Sequence, residues 1–172
     1  RSDVYHVQFT KAVPGSAAAL AKALEAQDPK APMPGHYIVL RHQQGDDWDF
    51  CVIEHLGTRF TVDTAPSAPS SVRSLTAWHA DTFVSGPPWA AFAKAMAVDG
   101  GGKPGAVYSV AVWRALAGQR EKLDAELSRL SSLQKCRPAF CLPLRAGLDA
   151  YGILLYAHPE VDFFTSDRRE VL

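Results

Sequence analysis

Histidines and carboxylates on two neighbouring stretches are the residues best suited to chemistry in this sequence. His6 alternates with Tyr5 and Val7 on a predicted strand, and it shares the polar side of that strand with Gln8. If the first strand and the second strand of the following hairpin are neighbours in a sheet, His6 could approach Glu54 or His55. A histidine beside a carboxylate is held in one tautomer and can act as a general base. His6, Glu54 and His55 are therefore the candidate catalytic residues. The alternative is that His6 only belongs to the wetter side of its strand.

A polar and aromatic β-hairpin is predicted over residues 37–55. Together with Gln8, its Arg41 and Trp48 are the candidate ligand-binding residues. A second hairpin later in the chain offers apolar residues at comparable places, namely Phe140, Leu142, Leu144, Ile153 and Leu155. Any site is therefore expected in the first part of the chain. The alternative for Arg41 is a cross-strand ion pair with Glu54 of modest worth.

Metal and cofactor chemistry receive little support from the sequence. His79 and Asp81 lie two residues apart in a stretch that reads as helical, and residues at that spacing do not face each other on a helix. There is no HExxH or CxxC motif, so we predict no metal site and no cofactor. Because a single histidine can ligate haem, haem binding through His79 or His55 stays as a weaker alternative.

An internal repeat organises the chain. Residues 4–24 align without a gap with residues 107–127, an offset of 103 positions. A unit of this length suggests two copies of one small domain. We accordingly divide the chain into a first unit over 1–98, a Gly-rich linker over 99–106 and a shortened second unit over 107–172. The identical pairs are Val4/Val107, Tyr5/Tyr108, Val7/Val110, Ala12/Ala115, Gly15/Gly118, Leu20/Leu123 and Leu24/Leu127.

Each copy shows the same order of strand, helix and hairpin. Alternating apolar residues predict the strands, and Ala/Leu-rich or amphipathic stretches predict the helices. The first copy has a strand at 4–12, a helix capped by Ser16 that runs to about Gln27, and the hairpin; the second has a strand at 107–115, a helix at 119–131 and a hairpin over 139–158.

The segment between the copies is predicted to contain a loop and two helices. Residues 57–75 are rich in Thr, Ser, Ala and Pro, which is typical of a surface loop. Residues 76–97 read as helical with a break at 86–88, and a second helix is predicted after the prolines. Its apolar stripe comprises Trp89, Phe92, Ala93 and Met96.

This order of elements, present twice, resembles the ferredoxin-like dimeric α/β-barrel superfamily. The resemblance implies an α+β fold in which two tandem ferredoxin-like units form an α/β-barrel-like pseudo-dimer. One departure is that neither copy shows a clear fourth strand. Members of the superfamily include cofactor-free monooxygenases, lactone isomerases, haem-binding enzymes and stress-responsive proteins. The resemblance also implies that a ligand would bind between sheet and helices or inside the barrel, but it does not select one activity.

The expected function is therefore small-molecule binding or cofactor-independent catalysis of the monooxygenase or isomerase type. The alternative from another class is a non-catalytic stress or assembly protein that binds a partner chain. Eighteen basic residues balance eighteen acidic ones, which argues against a nucleic-acid partner. No apolar run approaches the roughly 20 residues that span a bilayer, so no membrane partner is expected. The shortened second copy leaves sheet uncovered, which favours a homodimer.

The three cysteines leave the compartment open. Cys51 and Cys141 are expected to fill strand positions as small apolar residues. In the alternative, Cys136 and Cys141 close a small loop in an oxidising compartment. Because the sequence begins at Arg1, both a cytoplasmic location and export after removal of an N-terminal segment stay open.

Overall fold

A computed structural model describes residues 3–26, 31–43, 45–58, 70–96, 98–99, 107–133, 138–146 and 149–158. The chain divides into two compact units, Arg1–Ser85 and Gly86–Leu172. Both mix helices with antiparallel strands, so the predicted α+β class is confirmed. The division between the units lies before the predicted 99–106 linker, most of which is outside the described residues. Among the residues described, no helix is long and apolar enough to cross a membrane.

The described part of the first unit contains four strands and two helices. Its elements are β1 (Asp3–Ala12), α1 (Ala17–Glu25), β2 (Tyr37–Arg41), β3 (Phe50–Gly57), α2 (Ser70–Leu75) and β4 (Thr76–Gly86). The strand order within this unit is β2-β3-β1-β4. Strand β3 pairs antiparallel with both β1 and β2. The predicted first strand, first helix and first hairpin are therefore all present.

Strand β4 completes this sheet beside β1. The Val13 amide donates to the Leu75 carbonyl at 2.9 Å, and the Thr10 hydroxyl donates to the Trp78 carbonyl at 3.3 Å. The residue numbers of the bonded positions rise towards β4 while they fall along β1, so these two strands are also antiparallel.

Residues 76–86 were expected to be helical, and that prediction is wrong. They form β4, and the helix that follows is α3 (Trp89–Ala95). The first unit therefore does have the fourth strand that the sequence did not show. The cause is local composition: small residues at Ala77 and Ala80 hide the strand period, whereas the β-branched and aromatic side chains of Thr82 and Phe83 suit a sheet.

The predicted loop over 57–75 is wrong for its last six residues, which form α2 and pack against α1. Residues 59–69 of that prediction lie outside the description. Ser16 occupies the position before α1, but its side chain makes no capping hydrogen bond. The helix instead begins after Gly15, whose φ of +82° makes the turn that glycine tolerates best.

The two faces of the first sheet carry different packing. We call the face bearing the side chains of His6, Gln8, Thr10 and Ala12 the helix face, because α1 and α2 cover one end of it. Buried Leu20 of α1 and Val72 of α2 pack there on Ala12 and Phe50. The other, which we call the opposite face, is largely apolar and buried; it includes Tyr5, Val7, Ile38, Leu40, Cys51 and Ile53.

The second unit begins with α3 and contains a three-stranded sheet in its described part. Its further elements are β5 (Val107–Arg114), α4 (Arg120–Leu133), β6 (Pro138–Ala146) and β7 (Asp149–His158), with the strand order β6-β7-β5. Phe92 and Ala93 of α3 and Met96 directly after it are buried, which confirms most of the predicted apolar stripe, and Trp89 is half-buried. The predicted strand, helix and hairpin of this copy are present.

Cys51 is a free thiol and is fully buried on the opposite face of the first sheet. Burial raises the pKa of its thiol to about 12, so the group behaves as the small apolar residue expected. Cys136 lies outside the described residues, and of Cys141 only the backbone, in β6, is described.

Candidate functional site

A row of polar side chains crosses all four strands of the first sheet at one level. Tyr37 of β2 is opposite Glu54 of β3, and Glu54 is opposite His6 of β1. Asp81 of β4 continues the row on the far side of His6. Directly opposed residues in antiparallel strands project from the same face, so these four side chains share the helix face. We call them the His6 row.

His6 lies between two carboxylates. Its Nε2 is 2.9 Å from Oδ1 of Asp81, a hydrogen-bond distance. Its Nδ1 is 3.6 Å from Oε2 of Glu54, which is an ion-pair distance but too long for a hydrogen bond. The other oxygen of Asp81 accepts from Nδ1 of His79 at 2.5 Å. Asp81 is thus fixed by two histidines and in turn orients His6.

The charges around His6 favour its protonated form. Burial by itself would lower the pKa of this histidine, but the adjacent Glu54 and Asp81 together outweigh it and raise the pKa above the ordinary 6.5. The His6 and Glu54 side chains are each 22% exposed, so solvent and small solutes can reach them. This arrangement can hold a proton on His6 and deliver it to a bound molecule.

An aromatic ring borders the same site. Phe83 of β4 stacks on the His6 ring, with centres 5.0 Å apart and planes 25° apart. Phe83 is 38% exposed although it is apolar. The site therefore combines a proton-holding group with an apolar surface, a pairing that suits a flat or partly apolar ligand.

His55 lies on the opposite face and is not part of the His6 row. It is paired with Tyr5 in the register, one position along from the Glu54–His6 pair. Its Nε2 is 2.9 Å from Oδ2 of Asp3, and its Nδ1 is 3.0 Å from Nδ1 of His36. Of the candidate catalytic residues, the structure brings His6 and Glu54 together and places His55 in a separate cluster.

The candidate ligand-binding residues are dispersed. Half-buried Gln8 lies on the helix face, two positions along β1 from His6. Arg41 is exposed at the end of β2 opposite Phe50, whereas Glu54 is opposite Tyr37, so the predicted Arg41–Glu54 ion pair is wrong.

Trp48 lies outside the row as well. Its ring stacks on His42 with centres 4.2 Å apart and meets Phe9 edge-on at 5.3 Å. Of the three candidates, therefore, only Gln8 lies near His6.

The spacing of His79 and Asp81 does not by itself argue against a metal, as it would on a helix. Because these residues lie on a strand, their spacing of two places them on one face, where they form a hydrogen bond. Even so, within the described part of the chain no three His, Cys, Asp or Glu side chains converge as metal ligands. As for haem, both ring nitrogens of His55 are engaged, by Asp3 and His36.

The sequence did not single out three residues of the two clusters, Asp3, His36 and Phe83. It named His79 and Asp81 as an unsuitable metal pair, because residues 76–86 were interpreted as a helix, and the same interpretation hid Phe83. His36 lies directly before a predicted strand of the first hairpin. Counting the paired residues of that hairpin outwards from its turn could have identified His55 as the neighbour of His36. No protein-family model matches the chain, and no curated protein or solved structure matches it either.

Proposed function

We propose that this chain is a cofactor-independent, small-molecule-binding protein of the ferredoxin-like α/β-barrel type that transfers protons at the His6 row. Support for the architecture comes from the first unit, whose order β-α-β-β-α-β and strand order β2-β3-β1-β4 match those of a ferredoxin-like unit. The internal repeat supports a second unit of the same ancestry.

The observation that carries the proposed chemistry is the position of His6 between Asp81 and Glu54. Asp81 holds Nε2 of the imidazole at 2.9 Å and so orients the ring. The 3.6 Å between Nδ1 and Glu54 lets a ligand oxygen take its place against Nδ1 without breaking a strong hydrogen bond. A protonated histidine and a carboxylate would then face the same small molecule.

These roles fit the enolisation of a carbonyl compound. Glu54 removes a proton from the carbon next to the carbonyl, and His6 donates its Nδ1 proton to the carbonyl oxygen, which gives an enol. Return of a proton to a carbon regenerates the carbonyl compound or its isomer, so no oxidant or metal takes part. Asp81 acts as a positioning residue, and Phe83 provides an apolar wall.

The test is solvent-deuterium incorporation into a panel of enolisable ketones and lactones, followed by proton NMR. We expect incorporation to fall by roughly a hundredfold or more in His6→Gln and Glu54→Gln, the size typical of a positioned acid or base. The matched control is His42→Gln, which changes a histidine that stacks on Trp48 away from the row. Equal incorporation by wild type and His6→Gln across the panel contradicts the proposal.

The rival function is a non-catalytic assembly protein. It is favoured by exposed apolar side chains in the second unit, where Leu116 is 79% exposed and Val112 is 49% exposed. Such side chains on a surface often mark a protein interface. If this function is correct, Leu116→Asp abolishes capture of a partner chain while His6→Gln leaves it intact.

A further inference from the structure

A second cluster of titratable groups lies on the opposite face of the first sheet. It comprises Asp3 of β1, His55 of β3 and His36, which lies just before β2, and these three strands are neighbours in the sheet. The His55 amide also donates to the His36 carbonyl at 2.8 Å, which fixes His36 against β3. The cluster is therefore positioned by regular sheet pairing.

The three side chains form a continuous chain of hydrogen bonds. Nε2 of His55 is 2.9 Å from Asp3, and because a carboxylate only accepts, this nitrogen carries a proton. Nδ1 of His55 is 3.0 Å from Nδ1 of His36. The ring centres are 5.3 Å apart, well beyond the distance between the nitrogens, so the rings meet through their nitrogen edges. One proton is therefore shared between the two Nδ1 atoms.

Burial is graded along this chain. Asp3 is 6% exposed and His55 is 3% exposed, whereas His36 is half-buried. A buried carboxylate is costly unless it is paired, and the Asp3 carboxylate is paired with His55. Of the three side chains, His36 is the one that solvent or a small molecule can reach.

The surrounding groups support a neutral His36 at rest. Burial and the adjacent His55 lower the pKa of His36 below its ordinary 6.5. Tyr5 is a further titratable group on this face, and its ring centre is 5.1 Å from that of His55. Burial and the Asp3 charge raise the Tyr5 pKa, so its hydroxyl stays protonated. Glu54 lies on the helix face and does not take part.

We propose that Asp3, His55 and His36 form a second acid–base centre, in which His36 accepts a proton from a weakly acidic small molecule. As His36 takes that proton, the proton shared by the two Nδ1 atoms moves to His55. The positive charge then lies beside the Asp3 carboxylate, and return of both protons restores the starting state. This centre works independently of the His6 row, because the two lie on opposite faces.

The test uses 5-nitrobenzisoxazole, a small aromatic probe that reports on a general base. The base removes the proton from the ring carbon, that electron pair forms a nitrile, and the N–O bond breaks to release a coloured phenolate. We expect protein-catalysed release to rise with pH through a midpoint below 6.5, because only neutral His36 is a base. His36→Gln should lower the rate about tenfold or more.

Two further variants distinguish catalysis by this centre from catalysis by other basic side chains of the protein. Asp3→Asn should move the midpoint to still lower pH, because the protonated centre loses its compensating charge. His42→Gln, which changes a histidine that stacks on Trp48 away from both clusters, is the matched control and should keep the wild-type rate and midpoint. An unchanged rate in His36→Gln, or loss of the rate in His42→Gln, overturns the proposal.

A measurement on the wild-type protein covers the case in which a variant fails to fold. Nitrogen-15 NMR of labelled histidines should show His55 protonated at Nε2 and one proton shared with Nδ1 of His36. The His36 titration should shift the His55 signals at the same pH. If the two rings titrated independently of each other, the proposed proton transfer between His36 and His55 would be refuted.

Discussion

Two histidines of the first unit have opposite electrostatic surroundings. His6 faces Glu54 and Asp81, which raise its pKa despite partial burial. His36 faces another histidine, and its pKa is lowered by burial and by that neighbour. At neutral pH the first is suited to donate a proton and the second to accept one. They lie on opposite faces of one sheet, so each would act on its own ligand.

Stability should fall as pH rises above 6.5, through the raised pKa of His6. A histidine with a raised pKa in the folded state binds its proton more tightly there than in the unfolded chain. Its contribution is complete below pH 6.5, the ordinary value, and is lost as pH passes the folded value. Urea denaturation of wild type and His6→Gln from pH 5 to 9 measures this difference.

The difference in free energy of unfolding between wild type and His6→Gln should shrink as pH rises above 6.5. The other groups that face His6 are Glu54 from β3 and Asp81 from β4, with His79 behind Asp81. Asp81→Asn should reduce the pH dependence without removing it, because Glu54 stays in place. A stability difference that is constant from pH 6 to 9 contradicts the raised pKa.

At the scale of elements, β4 decides what the first unit can do. It supplies Asp81, which orients His6, and Phe83, which stacks on it. Because the segment is a strand, His79 and Asp81 share a face and form a hydrogen bond, whereas on a helix their spacing would separate them. The His6 row therefore exists only because 76–86 pairs with β1.

Ala80→Thr tests the strand directly. Ala80 is exposed on β4, and a β-branched residue suits a strand better than alanine does. We expect the free energy of unfolding to stay equal or to rise by up to about 1 kcal/mol. Thermal and urea denaturation give the value.

The matched control for this change is Ala19→Thr, at an exposed position of α1. There the same substitution should lower stability by roughly 0.5 kcal/mol, since threonine is the poorer helix former. A comparable loss at both positions would show that 76–86 does not behave as a strand.

At the scale of the whole molecule, both units leave large apolar side chains exposed, and in the first these are Val13, Trp78 and Phe83. The first unit buries a full set of apolar residues on the opposite face of its sheet. The described part of the second unit has three strands and leaves Val112 and Leu116 exposed. The polar His6 row lies in the first unit.

We expect the chain to sediment as a homodimer at micromolar concentration. Exposed apolar side chains and sheet edges favour pairing with a second copy. Leu116→Asp should shift the population towards monomer, because a charge at the contact would lose its hydration. Lys122→Ala, an exposed change on α4, is the control and should leave the dimer intact. A wild-type protein that sediments strictly as a monomer rules out this assembly.

The sequence by itself determined most of the elements, because they follow from local patterns. Alternation predicted β1, the hairpins and β5, and apolar spacing predicted α1, α3 and α4. It also identified His6 and Glu54, since polar residues at alternating positions of two strands stand out without any knowledge of pairing. The buried role of Cys51 followed from the same alternation.

Only the tertiary structure decided how these residues combine. Hydrogen bonding to β1 makes 76–86 a strand, and strand register places Asp81 beside His6, His55 beside Asp3 and Arg41 away from Glu54. Register depends on contacts between distant segments, and a shift of one residue moves every side chain to the other face. A local pattern can therefore predict that a strand exists, whereas the partners of its side chains follow only from the folded sheet.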